Sequence, residues 1–148
     1  MDQNHKLVKI KRFDKTFPLP EFKTEGAAAF DLHARIDLEI LPHTLAYVPM
    51  NVAIEVPRGY FLLLVARSST HKKGLWMANG VGIMDPDFSG DEDEYKAIYY
   101  NFTDKPVLIE KGERMAQGLI IKREEISWQE VDKMENKTRG GIGTTGNN

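Results

Sequence analysis

There is no cysteine in this 148-residue chain, so neither disulfides nor thiolate chemistry are available to it, and the redox compartment is left open. No apolar run approaches the ~20 residues that span a bilayer. The first residues, Met1-Asp2-Gln3-Asn4-His5-Lys6, lack the basic-then-apolar order of a secretion signal. A surplus of one charge is missing too: 20 basic and 22 acidic side chains leave a net charge of −2, which exerts no general pull on nucleic acid or acidic membrane. The histidines, His5, His33, His43 and His71, have no ligand spacing, and without a Gly-Lys-Ser/Thr there is no Walker loop. These absences lead to an expectation of one soluble, cytoplasmic domain with neither a membrane nor a direct nucleic-acid partner.

What is present is a series of short strand-like segments punctuated by glycine and proline, with no convincing long helix. Leu7 to Phe13 alternates, and Phe17-Pro18-Leu19-Pro20 ends regular pairing because proline lacks the ladder donor. Ala27 to Ala34 reads as a compact strand with Asp31 at its centre. Ile36 to Ile40, Tyr47 to Val56, Tyr95 to Phe102, Val107 to Ile109 and Met115 to Ile121 continue the pattern. Tyr60-Phe61-Leu62-Leu63-Leu64-Val65 is a continuous apolar run of strand length, expected to be buried on both faces. Such spacing predicts an all-β sandwich or barrel. Residues 1–135 form the β domain in this reading. Residues 136–148, rich in glycine with Ile142 as the one sizeable apolar side chain, form an arm that cannot hold itself folded.

Three stretches carry candidate chemistry, each also readable as an ordinary turn or terminus. Asn79-Gly80-Val81-Gly82-Ile83-Met84-Asp85-Pro86-Asp87-Phe88-Ser89-Gly90 reads as a hairpin with a carboxylate at its bend and an aromatic beside it. A carboxylate on a stiff Asp-Pro step suits a general base. Arg67-Ser68-Ser69, at the end of the apolar run, offers a guanidinium, two hydroxyls and backbone N–H groups to phosphate oxygens. Arg139 to Gly146, with Thr144 and Thr145, repeats that recipe on a glycine-rich backbone. Asp31 is a second acid in apolar context. Asp91-Glu92-Asp93-Glu94 reads as a solvated turn.

In this order the segments resemble the five motifs of the trimeric dUTPase family: Ala28-Ala29-Phe30-Asp31-Leu32, Arg67-Ser68-Ser69, Gly82 to Gly90, Gly112-Glu113-Arg114-Met115-Ala116-Gln117, and Arg139 to Gly146. The resemblance implies a jelly-roll-like β-sandwich in a three-fold homotrimer that exchanges its C-terminal arms. It also implies Mg²⁺-dependent hydrolysis of the nucleotide dUTP to dUMP and pyrophosphate, which keeps uracil out of DNA. On that reading Asp85 deprotonates the water attacking the α-phosphorus, and Phe88 stacks under deoxyribose. Asn79 and the backbone from Gly80 to Gly82 read uracil. Arg67, Ser68, Ser69 and Gln117 hold phosphates, Asp31 steadies a Mg²⁺ water, and Arg139, Thr144 and Thr145 close over the β- and γ-phosphates.

Three departures from the family pattern stand out. Phe88 replaces tyrosine, Ile142 stands where a phenylalanine caps the uracil, and the stretch from Gly90 to Asn101 is extended. Tyr95, in that extension, is the candidate for the missing aromatic lid, with an ordinary strand aromatic as the alternative. dCTP deaminase is a rival with a similar Arg-Ser-Ser, but Ile98 occupies the place of its catalytic glutamate. A non-catalytic, regulatory dUTPase-like binding protein is the rival of another class.

Overall fold

The computed structural model describes residues 5–143. Regular structure among these residues is strand, apart from one turn of 3₁₀ helix at Thr70–Lys73. The strands are β1 (Lys9–Arg12), β2 (Phe30–His33), β3 (Leu38–Ile40), β4 (Leu45–Pro49), β5 (Val52–Glu55), β6 (Tyr60–Ala66), β7 (Leu75–Met77), β8 (Gly82–Met84), β9 (Lys96–Asn101), β10 (Val107–Ile109) and β11 (Arg114–Lys122). A four-stranded sheet runs β2-β11-β6-β8 and a three-stranded sheet runs β4-β9-β7; β1 pairs β5, and β10 pairs β3. All of these pairings are antiparallel.

Alternation along the strands builds the core. In β9, Ala97, Tyr99 and Asn101 are buried while Lys96, Ile98 and Tyr100 face outward, as the period of two requires. Leu62 and Leu64 of β6 meet Val48 and Tyr99 from the other sheet in one apolar cluster with Leu32, Ile40 and Met115. The Tyr99 hydroxyl donates to the Met115 carbonyl and so ties the two sheets together. Burial pushes the Tyr99 phenol above its usual range, so it stays a protonated donor.

Two sequence expectations change. The apolar run of β6 is buried on one face only: Leu62 and Leu64 are enclosed, while Phe61, Leu63 and Val65 are half-covered. Flanking strands cover its edges, not its outer face. The Asp85 stretch is also not a hairpin. β8 pairs with β6 in one sheet, and the chain then crosses to β9 in the other. The bend is a turn closed by Phe88 N–H donating to the Asp85 carbonyl at 3.1 Å.

Glu94, read from sequence as part of a solvated acidic run, is buried and structural. It takes a bidentate pair from Arg35 at 2.7 and 3.0 Å and the Asn51 N–H at 2.9 Å. Asn51 sits at φ 71°, a left-handed position that asparagine tolerates, and its side chain exchanges bonds with the Asp14 backbone. Hydrogen bonds from Thr16, with Lys111 adding to them, hold the Asp14 carboxyl down at about 2. A depressed carboxylate contributes stability present above its unfolded value of 3.8 and lost as pH falls through about 2. Asp14→Asn should therefore flatten the acid limb of stability against pH, as read by thermal melts between those values.

Gly74 ends the 3₁₀ turn at φ 85°, and a Cβ there would lie 2.3 Å from Thr103 Cγ2. Gly74→Ala should cost about 2 kcal/mol, from the left-handed backbone and the crowding together, and lower the melting temperature. A melt unchanged by the substitution would contradict this packing.

Candidate functional site

Asp31, Arg67 and Gln117 come from three separate stretches of chain and meet on the four-stranded sheet. Asp31 lies on β2 directly opposite Gln117 on β11, whose neighbour on the other side, β6, delivers Arg67 just past Ala66. Gln117 Nε2 donates to Asp31 Oδ1 at 3.3 Å, and Arg67 Nε stands 3.6 Å from the same oxygen. Arg114 Nη1 reaches Asp31 Oδ2 at 3.5 Å. Asp31 is 4% exposed, and these donors meet both oxygens of its buried side chain.

Arg67 is incompletely used. Its Nε is buried with no hydrogen-bond partner, and Nη1 makes one long bond to the Arg114 carbonyl at 3.4 Å. That nitrogen faces Asp31 Oδ1 at ion-pair distance, which offsets part of the roughly 1–3 kcal/mol that an unmade buried donor costs. Ser68 is exposed and Ser69 half-buried beside it; Ser69 precedes the 3₁₀ turn without a side-chain capping bond. Lys73, from that turn, pairs with Glu113 at the start of β11 and locks the loop to the sheet.

Arg114 is a site residue that sequence reading missed. Its signal was present, since it stands in the Gly112 to Gln117 segment three residues before Gln117, where a strand bulge between Arg114 and Ala116 re-aims it.

The second group of predicted residues lies elsewhere. Asn79 is exposed on the turn between β7 and β8, where Gly80 takes φ 74° and donates to the Met77 carbonyl at 3.0 Å. Gly82 is buried opposite Leu64, and a Cβ would approach the Leu64 Cβ to 3.1 Å. Asp85 is exposed just beyond Met84. Phe88 is 40% exposed. Met84 pairs with Leu62, whereas Arg67 follows the opposite end of β6. At strand rise this separates Asp85 from Arg67 by about 20 Å within one chain. One α-phosphate cannot touch both side chains.

Tyr95 is not a lid. Its side chain is fully buried, its hydroxyl donates to the Ile54 carbonyl at 3.3 Å, and its ring stacks on Phe88. A residue enclosed in the core cannot close over a ligand. Its phenol is also pushed above the usual range by burial.

Beyond β11 the chain runs out of the body. Every residue from Glu124 to Gly140 is exposed, including Trp128 at 90% and Met134 at 73%. The composition change at 136 falls inside this arm. Arg139 and Ile142 are exposed on it, and Thr144 and Thr145 lie outside the described residues.

Among the described residues no group of three or more His, Asp or Glu side chains is arranged to hold a metal. Asp31, Ser68 and Ser69 offer only oxygens, the donor type a hard divalent ion takes. With its one carboxylate already faced by Arg67 and Arg114, the set would hold a divalent ion only through phosphates and water, not by direct ligation.

Fold and site together define an antiparallel all-β protein that gathers Asp31, Arg67, Arg114 and Gln117 at one corner of its four-stranded sheet and projects a C-terminal arm from its body. A sequence model of the dUTPase family matches residues 15–146. A Dictyoglomus turgidum protein named deoxyuridine 5'-triphosphate nucleotidohydrolase is 37% identical over 146 residues, covering 94% of this chain and 97% of that one. The dUTPase of Streptococcus mutans superposes with a TM-score of 0.74 at 32% identity, over 80% of this chain and 98% of that one. A mutant of the 80alpha phage dUTPase superposes at 0.82 and 22% identity, over 98% and 100% of the two chains, which is a likeness of fold. The chain belongs to the dUTPase family.

Proposed function

We propose that this protein hydrolyses dUTP to dUMP and pyrophosphate, in a site that neighbouring subunits of a homotrimer complete. The observation that carries this reading is the convergence of Asp31, Gln117 and Arg67, with the Arg67 guanidinium making only long contacts within its own chain. The distance between that cluster and Asp85 supports a site divided between chains. So does the exposed arm, whose Ile126, Trp128, Val131 and Met134 are apolar and uncovered in one chain.

In the mechanism, Asp85 accepts a proton from a water whose oxygen attacks the α-phosphorus. The bond from that phosphorus to the α,β-bridging oxygen breaks, and the electron pair leaves with pyrophosphate. Arg67, Ser68, Ser69 and Gln117 from a neighbouring chain hold the phosphates and align them for in-line attack. When bound, Mg²⁺ supplies charge neutralisation along the polyphosphate, and Asp31 is the residue that orients its water. Phe88 lies under the deoxyribose and leaves no space for a 2′-hydroxyl, while Asn79 and the backbone of Gly80 to Gly82 read the uracil edge. Arg139, Thr144 and Thr145 close from the arm of a further chain, with Ile142 beside them.

Incubation with dUTP, dCTP or UTP and Mg²⁺ tests the reading. Pyrophosphate from dUTP alone is the expected outcome; ammonia from dCTP would make it a deaminase, and no product would leave a binding protein. Ile98, half-buried and outward on β9, gives deamination no carboxylate. Truncation after Asn136 should leave a folded trimer with poor turnover, since residues 137–140 are exposed beyond β11. Size-exclusion chromatography and initial rates check it; full activity would remove the arm from the site.

A further inference from the structure

Phe88 and Tyr95 stand on either side of the acidic turn that follows β8, and their rings lie nearly parallel. The planes differ by 11° and the centroids are 6.1 Å apart, the geometry of an offset stack. The two rings are held very differently. Phe88 is 40% exposed and has its backbone N–H tied back to the Asp85 carbonyl. Tyr95 is fully buried and pinned three times: its N–H donates to Val52 at 2.8 Å, its carbonyl accepts from Met50 at 2.8 Å, and its hydroxyl donates to Ile54. The preceding residue is Glu94, clamped by Arg35 and Asn51. Tyr95 is therefore a rigid floor, and Phe88 a half-exposed ring resting on it.

We propose that Tyr95 is a positioning residue that sets the plane of the Phe88 ring, and through it the discrimination between deoxyribose and ribose. The inference rests on the proposed placement of Phe88 under the sugar. A phenyl ring has no polar handle by which a hydrogen bond could orient it, so only packing fixes its tilt. Excluding a single hydroxyl requires a wall held in place to within about half an ångström, since a loosely held wall moves aside. Tyr95 packs beside the Phe88 ring, and the part of that ring left exposed is what remains for the sugar. The stretch from Gly90 to Asn101 thus contains the residue that steadies the sugar-facing ring.

The test compares kcat/KM for dUTP and for UTP in the full-length protein and in Tyr95→Phe, Tyr95→Leu, Tyr95→Met and Phe88→Ala. Tyr95→Phe keeps the stacked ring and should keep the parental preference for dUTP. Tyr95→Leu and Tyr95→Met remove the stack and should lower that preference about fivefold, mainly through faster turnover of UTP. A purely structural Tyr95 would lower the melting temperature of these variants without changing the ratio. An unchanged ratio in folded Tyr95→Leu and Tyr95→Met, with a reduced ratio in Phe88→Ala, overturns the inference and leaves the sugar site standing. An unchanged ratio in Phe88→Ala removes Phe88 from the sugar site altogether. Failure of both Tyr95→Leu and Tyr95→Met to fold gives Tyr95 a structural role only and overturns the inference as well.

Discussion

Asp85→Asn is expected to bind dUTP as well as the parent does and to hydrolyse it about 10²–10⁴-fold more slowly, the usual worth of a positioned base. Asparagine has nearly the shape of aspartate, and the turn around residue 85 is closed by a backbone carbonyl that the substitution leaves alone. Pro86 keeps the bend stiff in both proteins. Only the ability to accept a proton from water is removed. Calorimetric titration with a non-hydrolysable dUTP analogue, alongside initial rates of pyrophosphate release, separates binding from chemistry. Turnover within tenfold of the parent would take Asp85 out of the base role.

The second large effect is a recovery of activity. Asp85→Asn and Arg67→Ala should each be almost inactive alone, yet a mixture refolded together should regain about a quarter of parental activity. If Asp85 is drawn from one subunit and Arg67 from its neighbour, random assembly gives each an even chance of being intact, and one half of one half is one quarter. The register behind this is plain: Met84 faces Leu62, and Arg67 leaves the opposite end of the same strand. If one chain supplied both residues to a site, every chain in the mixture would carry a lesion and no activity would return. The two outcomes differ by the whole signal, and the measurement needs no structure of the assembly.

Much of the fold follows from local pattern. Alternation placed the strands because each segment must present one apolar face, and glycine and proline marked where pairing stops. The acid of β2 and the arginine after β6 could be picked out beforehand for the same reason: a charged or polar group set into an apolar run is noticeable wherever it lies. Reading failed where a residue's role depends on a distant partner. Glu94 ends a run of acids and has the look of a solvated side chain, but Arg35, 59 positions away, and Asn51 enclose it. Tyr95 looks equally fit for a lid or a floor until the carbonyls of Val52 and Ile54 are seen to claim it. The expected hairpin fails likewise, because which sheet a strand joins depends on edges supplied by other parts of the chain.

By itself the amino-acid order determined the all-β class, the positions of most strands, and which charged and polar residues stand out from the apolar pattern. These are decided by short-range sterics and side-chain chemistry, which each segment carries with it. Tertiary structure alone decided that Asp31, Gln117 and Arg67 share one corner, that Asp85 stands at the other end of the β6–β8 ladder, and that Tyr95 lies beneath Phe88. Distances between residues far apart in the chain come from antiparallel register and from the packing of one sheet on another, and no segment read alone contains them.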